Sequence, residues 1–508
     1  MKPAQYTIVS TVFTLAALNF SLSSQAEENM LIIEDEDSEL LIIDDMDQEN
    51  EALEIIDSED KLLLMDDSES ALVIESDEIE IVTPDEESDL LIIEPEEIAS
   101  SSSTDTQITS TPSFKINKLW IEYGHFTQGH SGKNSLGYGH SLATFEWAPL
   151  SNWEIKVSGR VDGYFETGRD DWDDVDLDYD EIYIRYKGEN STVTLGTQKV
   201  LWGRIDEFPP TDRLSTQDLR RFIIDDLEDR RLASPALRIE HFFDNKKLDF
   251  VFYPDFREAQ LPDKDSTWYP VNKESGEILG LETNSAIEAV VKAAPIDENT
   301  PDSEGGFGAR FSSIGSNLDY AISVQKGRQS VPYFSYNPRT GTIEGEYPRT
   351  WIVGGDVGFE ALGGTVKFET TWLSDTPVTR KDGSYTTVKS VNWGAALELF
   401  PGDGDSRLNL QLTGTKLMRA PSVIDRAESY TFNGTYAVPF ANNQWRAKTR
   451  FYVGLDEKDI YLNPEIAFTG WDSQELYLEF HFFDGDKGTP AGFYEDNSVI
   501  TLGWRIKF

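Results

Sequence analysis

Val499-Ile500-Thr501-Leu502-Gly503-Trp504-Arg505-Ile506-Lys507-Phe508 alternates from one end to the other. Successive side chains of a β-strand point to opposite faces. Ile500, Leu502, Trp504, Ile506 and Phe508 therefore share one face, and Thr501, Gly503, Arg505 and Lys507 the other. The same period recurs upstream. Trp153, Ile155, Val157 and Val161 alternate with Glu154, Lys156, Ser158, Arg160 and Asp162, and Leu476, Leu478, Phe480 and Phe482 oppose Glu475, Tyr477, Glu479 and His481. Alternation alone also fits a soluble sandwich. The mean hydropathy is low, at -0.43. Beyond the first residues no apolar run reaches the roughly 20 residues of a membrane helix.

A last amphipathic strand closing on an aromatic residue resembles the terminal strand of bacterial outer-membrane barrels. There it implies an assembly signal, here Trp504, Ile506 and Phe508, read by the barrel assembly machinery. The low mean hydropathy is compatible, because a barrel alternates lipid-facing and lumen-facing residues, and the 12% aromatic content suits its interfacial girdles. The other end of the chain points the same way. Lys2, a mostly apolar stretch from Ile8 to Leu22 and small residues at Ser24 and Ala26 form the pattern of a secretory signal peptide, residues 1–26, cleaved near Ala26. Candidate strands between 114 and 508 number about 18. Short turns fall near 150, 190, 245, 315, 362, 403, 442 and 471, and long connections lie between them. Ala286–Ala294 has helical composition and falls within the long connection 255–304. The expected fold is an all-β transmembrane antiparallel barrel over 114–508, set in outer-membrane lipid.

The charge is unevenly distributed. Residues 27–98 hold 30 Asp and Glu against a single Lys, out of a net charge of -48. Within this arm a theme of two to four aliphatic residues followed by acids repeats loosely, with Ile33, Ile43, Ile56, Met65, Ile74 and Ile93 as representatives. Such charge density opposes collapse and favours an extended, largely disordered chain. The aliphatic clusters suggest multivalent docking onto a periplasmic protein or inner-membrane transporter. A plain spacer, or short added strands or helices, are the alternatives. Residues 99–113 read as a Ser/Thr linker.

One segment is not generic barrel. From Gln198-Lys199-Val200-Leu201-Trp202-Gly203-Arg204 to Pro235-Ala236-Leu237-Arg238 the chain is crowded with both signs of charge. Arg204, Asp206, Asp212, Arg213, Arg220, Arg221, Arg230, Arg231 and Arg238 are the candidate lumen or constriction residues. Dense opposite charge suits a loop folded into a lumen and held by ion pairs. Residues 203–234 are thus expected to form a plug or constriction, with a helix over Thr216–Leu227 capped by Ser215 or Thr216. The arginines either pin this plug or also line a selectivity constriction. Trp202-Gly203, Thr211-Asp212, Asp218-Leu219 and Pro235-Ala236-Leu237-Arg238 resemble a porin-like proteobacterial outer-membrane family of unknown function. Alginate-export-type barrels are a more distant comparison. The resemblance implies outer-membrane transport without naming a cargo.

Several classes are disfavoured. With no cysteine there are no disulfides and no thiolate sites. The five histidines show neither metal-ligand spacing nor a nucleophile elbow, so no catalytic residue, metal or cofactor is assigned. So acidic a chain does not suit nucleic acid. Two functions remain. The first is a channel, for anionic or amphiphilic cargo if Lys156, Arg160, Arg185, Lys187, Arg446, Lys448, Arg450, Arg505 and Lys507 make the lumen basic. The second is a plugged anchor or receptor that works through its acidic arm.

Overall fold

The computed structural model describes residues 110–507 except 129–131, 299, 302–303, 403 and 420–421, together with three short strands between 52 and 74. The expected signal peptide, the docking positions Ile33, Ile43 and Ile93, most of the linker and Phe508 lie outside the described residues. The short strands, Ala52–Asp57, Lys61–Asp66 and Ala71–Ile74, pair antiparallel in chain order. They contain Ile56, Met65 and Ile74. Three of the aliphatic clusters thus lie on paired strands, where charge density alone led to an expectation of unpaired chain.

Eighteen strands close into one barrel, each antiparallel to its chain neighbours. The first nine are β1 (Ser113–Phe126), β2 (Lys133–Leu150), β3 (Trp153–Gly168), β4 (Trp172–Lys187), β5 (Ser191–Gln198), β6 (Ser234–Phe243), β7 (Lys246–Tyr253), β8 (Gly306–Ser313) and β9 (Asp319–Arg328). The rest are β10 (Arg349–Ala361), β11 (Gly364–Thr379), β12 (Tyr385–Leu399), β13 (Arg407–Met418), β14 (Glu428–Phe440), β15 (Trp445–Gly454), β16 (Asp459–Trp471), β17 (Gln474–Gly485) and β18 (Val499–Lys507). β18 pairs with β1 from Lys507↔Lys118 to Val499↔Phe126 and seals the cylinder. The alternating direction gathers the short turns at one rim and connections 199–233, 254–305, 329–348 and 486–498 at the other.

The expected strand count is met, and α1 (Ser285–Ala293) lies where the helix was expected. Its N-terminus is fixed by Asn284, whose side-chain oxygen accepts from the amides of Ala286 and Ile287 at 3.0 and 3.2 Å, satisfying donors that a helix start leaves unpaired. Strand limits differ at several strands. β2 and β4 begin seven residues before the alternating segments 140–149 and 179–188, β5 stops four residues before the expected end at 202, and β11 runs six residues past the expected end at 373. In β4 the extension contains Asp173-Asp174-Val175-Asp176-Leu177-Asp178. These acids have partners: Asp176 accepts from Arg220 and Asp178 from Arg257.

Candidate functional site

The connection between β5 and β6 turns into the cylinder instead of away from it. Its first bend needs Gly203: φ is +151°, and a Cβ there would lie 2.7 Å from the Pro209 Cβ. The bend wraps around Glu369 of β11. That carboxylate is fully buried and accepts from the amides of Arg204, Ile205 (2.7 Å) and Thr211 (3.3 Å) and from the Thr211 hydroxyl (3.0 Å). A carboxylate out of water needs such donors. Around the bend, Arg204 pairs with Asp356 of β10 and Asp319 of β9. The Trp202 indole donates to Asp249 of β7 at 3.1 Å, and Asp206 accepts from Asn409 of β13.

The second half corrects an expectation, because no helix forms over Thr216–Leu227. Thr216-Gln217 pairs with Arg231-Leu232 as a two-residue ladder, Phe222 sits at φ +50°, and the helix is only the four residues Leu227–Arg230. Tertiary anchors have outcompeted local hydrogen bonds. Arg220 is drawn to Asp176 of β4 (2.8 Å) and Asp162 of β3 (3.4 Å), with Asp218 bracing it at 2.9 and 2.6 Å. Arg221 is drawn to Glu122 of β1 and lies over the Tyr138 ring at 4.1 Å. From β15, Arg450, 1% exposed, donates to the carbonyls of Ile223 (2.9 Å) and Ile224 (2.8 Å) and to the Asp226 carboxylate (3.0 Å). Lys118 holds Asp229 and Lys448 holds Asp226, at 2.6 and 2.7 Å.

The remaining candidate residues do different work. Arg231 pairs with Asp212 within the segment at 2.8 Å, and Arg213 donates to the Pro210 carbonyl at 3.0 Å. Arg238 is not on the segment. It lies on β6 and grips Asp249 through two bonds of 2.9 and 2.6 Å. Burial raises the Asp212 carboxyl above its ordinary value despite Arg231. Burial likewise pushes Asp225 up to about 6, with Glu122, Asp229 and Asp218 repelling its charge and Arg221 attracting it. Glu122, Asp249, Asp356 and Glu369 were not singled out from the sequence. Their signal was available: each is an acid on the non-lipid face of an alternating strand.

The excess of wall cations is also corrected. Lys156 pairs with Glu181, Arg185 with Glu154, Arg446 with Glu465 and Glu475, and Arg505 with Glu465 and Glu479. Carboxylates match the cations, so these residues do not make the wall basic. The segment reaches β1, β3, β4, β7, β9, β10, β11, β13 and β15, but it does not fill the cylinder. A cavity of about 320 Å³ separates Pro209, Pro210 and Arg213 from Asn392, Thr413 and Thr431 on β12, β13 and β14.

The outside of the wall has the opposite character. Ile121, Leu195, Ile322, Val353, Ile466 and Leu502 are exposed, Leu195 by 63% and Leu502 by 54%. Exposed Trp147, Trp153, Tyr186, Phe440, Trp445 and Trp471 ring the short-turn rim, and Tyr123, Phe165, Phe252 and Trp351 form a second level. Trp153 and Phe165 stand twelve residues apart on β3, roughly 30 Å along the axis at about 3.3 Å per residue and a tilt of about 40°. An apolar band between two aromatic girdles, on a closed barrel with no free edge, is the surface a bilayer requires. The protein is an outer-membrane β-barrel.

No protein-family model and no curated protein matches the chain. Among solved structures it is similar to Acinetobacter baumannii OccAB4, with TM-score 0.45 and 8% identity over 79% of this chain and 98% of that one. It is also similar to Pseudomonas aeruginosa OccK8 (OprE), with TM-score 0.44 and 9% identity over 78% and 97%. Salmonella typhi OmpF, solved in complex with daunomycin, gives TM-score 0.40 and 9% identity over 79% and 100%.

Proposed function

We propose that this protein is a solute channel of the outer membrane whose constriction is the segment 199–233. The observation that carries this is the segment's uneven seat. Ion pairs bind it to β1, β3, β4, β9, β10, β13 and β15, yet a cavity of about 320 Å³ lies between its stretch 207–213 and the wall of β12–β14. An eighteen-stranded cylinder is wider than wall side chains can fill, so one inward segment leaves room for passage beside it. Preference for anionic or amphiphilic cargo comes from Arg213 and Arg230, which border that cavity. In this reading residues 1–26 direct export and are removed near Ala26. The acidic arm, 27–98, joined by the linker 99–113, docks a periplasmic protein or an inner-membrane transporter through its aliphatic clusters.

The density of buried ion pairs favours a second reading, a sealed barrel acting as anchor or receptor for the arm. Single-channel conductance in planar bilayers separates the two, with the full chain compared with a Δ27–98 form and Arg220→Ala/Arg221→Ala. The channel reading expects stable openings without the arm and a changed reversal potential in the arginine variant. Silence in all three forms would leave the anchor reading in its place.

A further inference from the structure

Above the segment, under the folded connections of the long-loop rim, lies a second cavity of about 250 Å³. It is almost wholly apolar. Leu219, Phe222, Leu261, Trp268, Leu279 and Tyr494 are among the residues that enclose it. Trp268 and Tyr494 are held by each other, their rings 5.6 Å apart, and by a hydrogen bond of 2.8 Å from the Tyr494 hydroxyl to the Trp268 carbonyl. An apolar cavity of about 150 Å³ accepts benzene, so this one takes a substituted ring or a short alkyl chain.

Three residues border both this cavity and the polar one beside β12–β14: Phe208, Gln217 and Arg230. Arg230 is the exceptional arginine of the segment. It is only 4% exposed, and its Nε and Nη2 donate no hydrogen bond. The nearest carboxylate, Glu207, stands 3.8 Å from Nη2. Glu207 is also engaged elsewhere, accepting from the Tyr452 hydroxyl at 2.6 Å and lying 3.9 Å from Arg450. Arg220 has its donors satisfied, and Arg221, Arg231 and Arg450 each leave one buried nitrogen unpaired, whereas Arg230 presents a buried guanidinium with two nitrogens open at the floor of an apolar chamber. Leaving such donors unpaired is costly, and a planar fork matches a carboxylate.

We infer that the upper cavity binds a small organic anion, a monocarboxylate bearing a ring or short alkyl chain, with its apolar part in the chamber and its carboxylate on Arg230. Phe208 and Gln217 then form the doorway to the polar cavity. The inference deepens the channel reading and rests on it for onward passage, though not for binding.

Calorimetric titration of the detergent-solubilised full chain tests it, using 3-phenylpropionate and its uncharged analogue 3-phenylpropanamide. The acid is expected to bind about tenfold or more tightly than the amide. Arg230→Gln should remove that preference while the amide still binds, and Leu279→Trp, which fills the chamber, should weaken both probes. Should Arg230→Gln fail to fold, the acid–amide contrast in the unaltered chain and the Leu279→Trp result decide. Equal binding of the two probes, or no acid binding in the millimolar range, overturns the inference. Conductance in potassium chloride, measured on the same sample, keeps the two readings apart. A conducting barrel that does not bind the acid removes the site alone, whereas a silent barrel with Arg230-dependent binding removes the channel alone.

Discussion

The two sides of the lumen are built differently. Towards β1–β4 and β15 the segment and wall are joined by Arg220, Arg221 and Arg450, each buried and each shared between several acceptors. Towards β12–β14 the wall offers Asn392, Thr413 and Thr431 across open space. A buried charge is tolerable only when it is paired and hydrogen-bonded, so the first side is committed to one geometry. Neutral hydroxyls and amides make no such demand, and in the proposed channel the second side is the solute's path. Ion pairs on several strands fix the segment, and the neutral polar stretch of β12–β14 leaves a cavity beside it.

The sharpest way to break this contrast is to remove a shared cation from the committed side. Arg450→Ala leaves the carbonyls of Ile223 and Ile224 and the Asp226 carboxylate without their buried donor, a loss of about 3–5 kcal/mol. The expected results are rapid amide exchange over 220–230 and larger, noisier conductance. Glu369→Gln is milder. It keeps one acceptor oxygen for the 203–211 bend and loses the second together with the charge, about 1–3 kcal/mol, seen as faster exchange confined to that bend. On the open side the expectation inverts: Thr413→Trp should reduce conductance severalfold while barely moving the melting temperature.

The smallest effect is that of pH. The Asp225 carboxyl lies higher in the folded chain, at about 6, than in an unfolded one, about 3.9. The folded form therefore holds the proton more tightly. That stabilising contribution is fully present below the unfolded value and is lost as pH rises through about 6. The segment should melt slightly higher at pH 5 than at pH 7, and Asp225→Asn should abolish that share of the difference.

The barrel was legible because period-two alternation is local and each of its eighteen strands carries it. The position of α1 was legible from composition. The path of the segment was legible only as charge density. Nothing within 216–227 announces that Arg220 and Arg221 will be pulled towards different strands, or that Arg450, more than 200 residues away, will take the carbonyls a helix would have used. Helix propensity lost to partners that local sequence does not contain. The acid run that opens β4 lay outside the candidate strand, because its partners, Arg220 and Arg257, lie on other connections. The open donors of Arg230 could not be read at all, since an unpaired arginine differs from a paired one only in what surrounds it.

The seam between β18 and β1 has a consequence for how the molecule comes into being. Val499 lies against Phe126 and Lys507 against Lys118, so the contacts that complete the cylinder join residues nearly 400 positions apart. Seventeen strand pairings can each form between chain neighbours, whereas this one must await the whole sheet and bears the largest loop-closure entropy. Until it forms, the sheet has two raw edges able to pair with any passing strand. Closure is thus the slow and vulnerable step of its biogenesis, and a chain stalled one strand short would be a template for aggregation rather than a slightly smaller barrel.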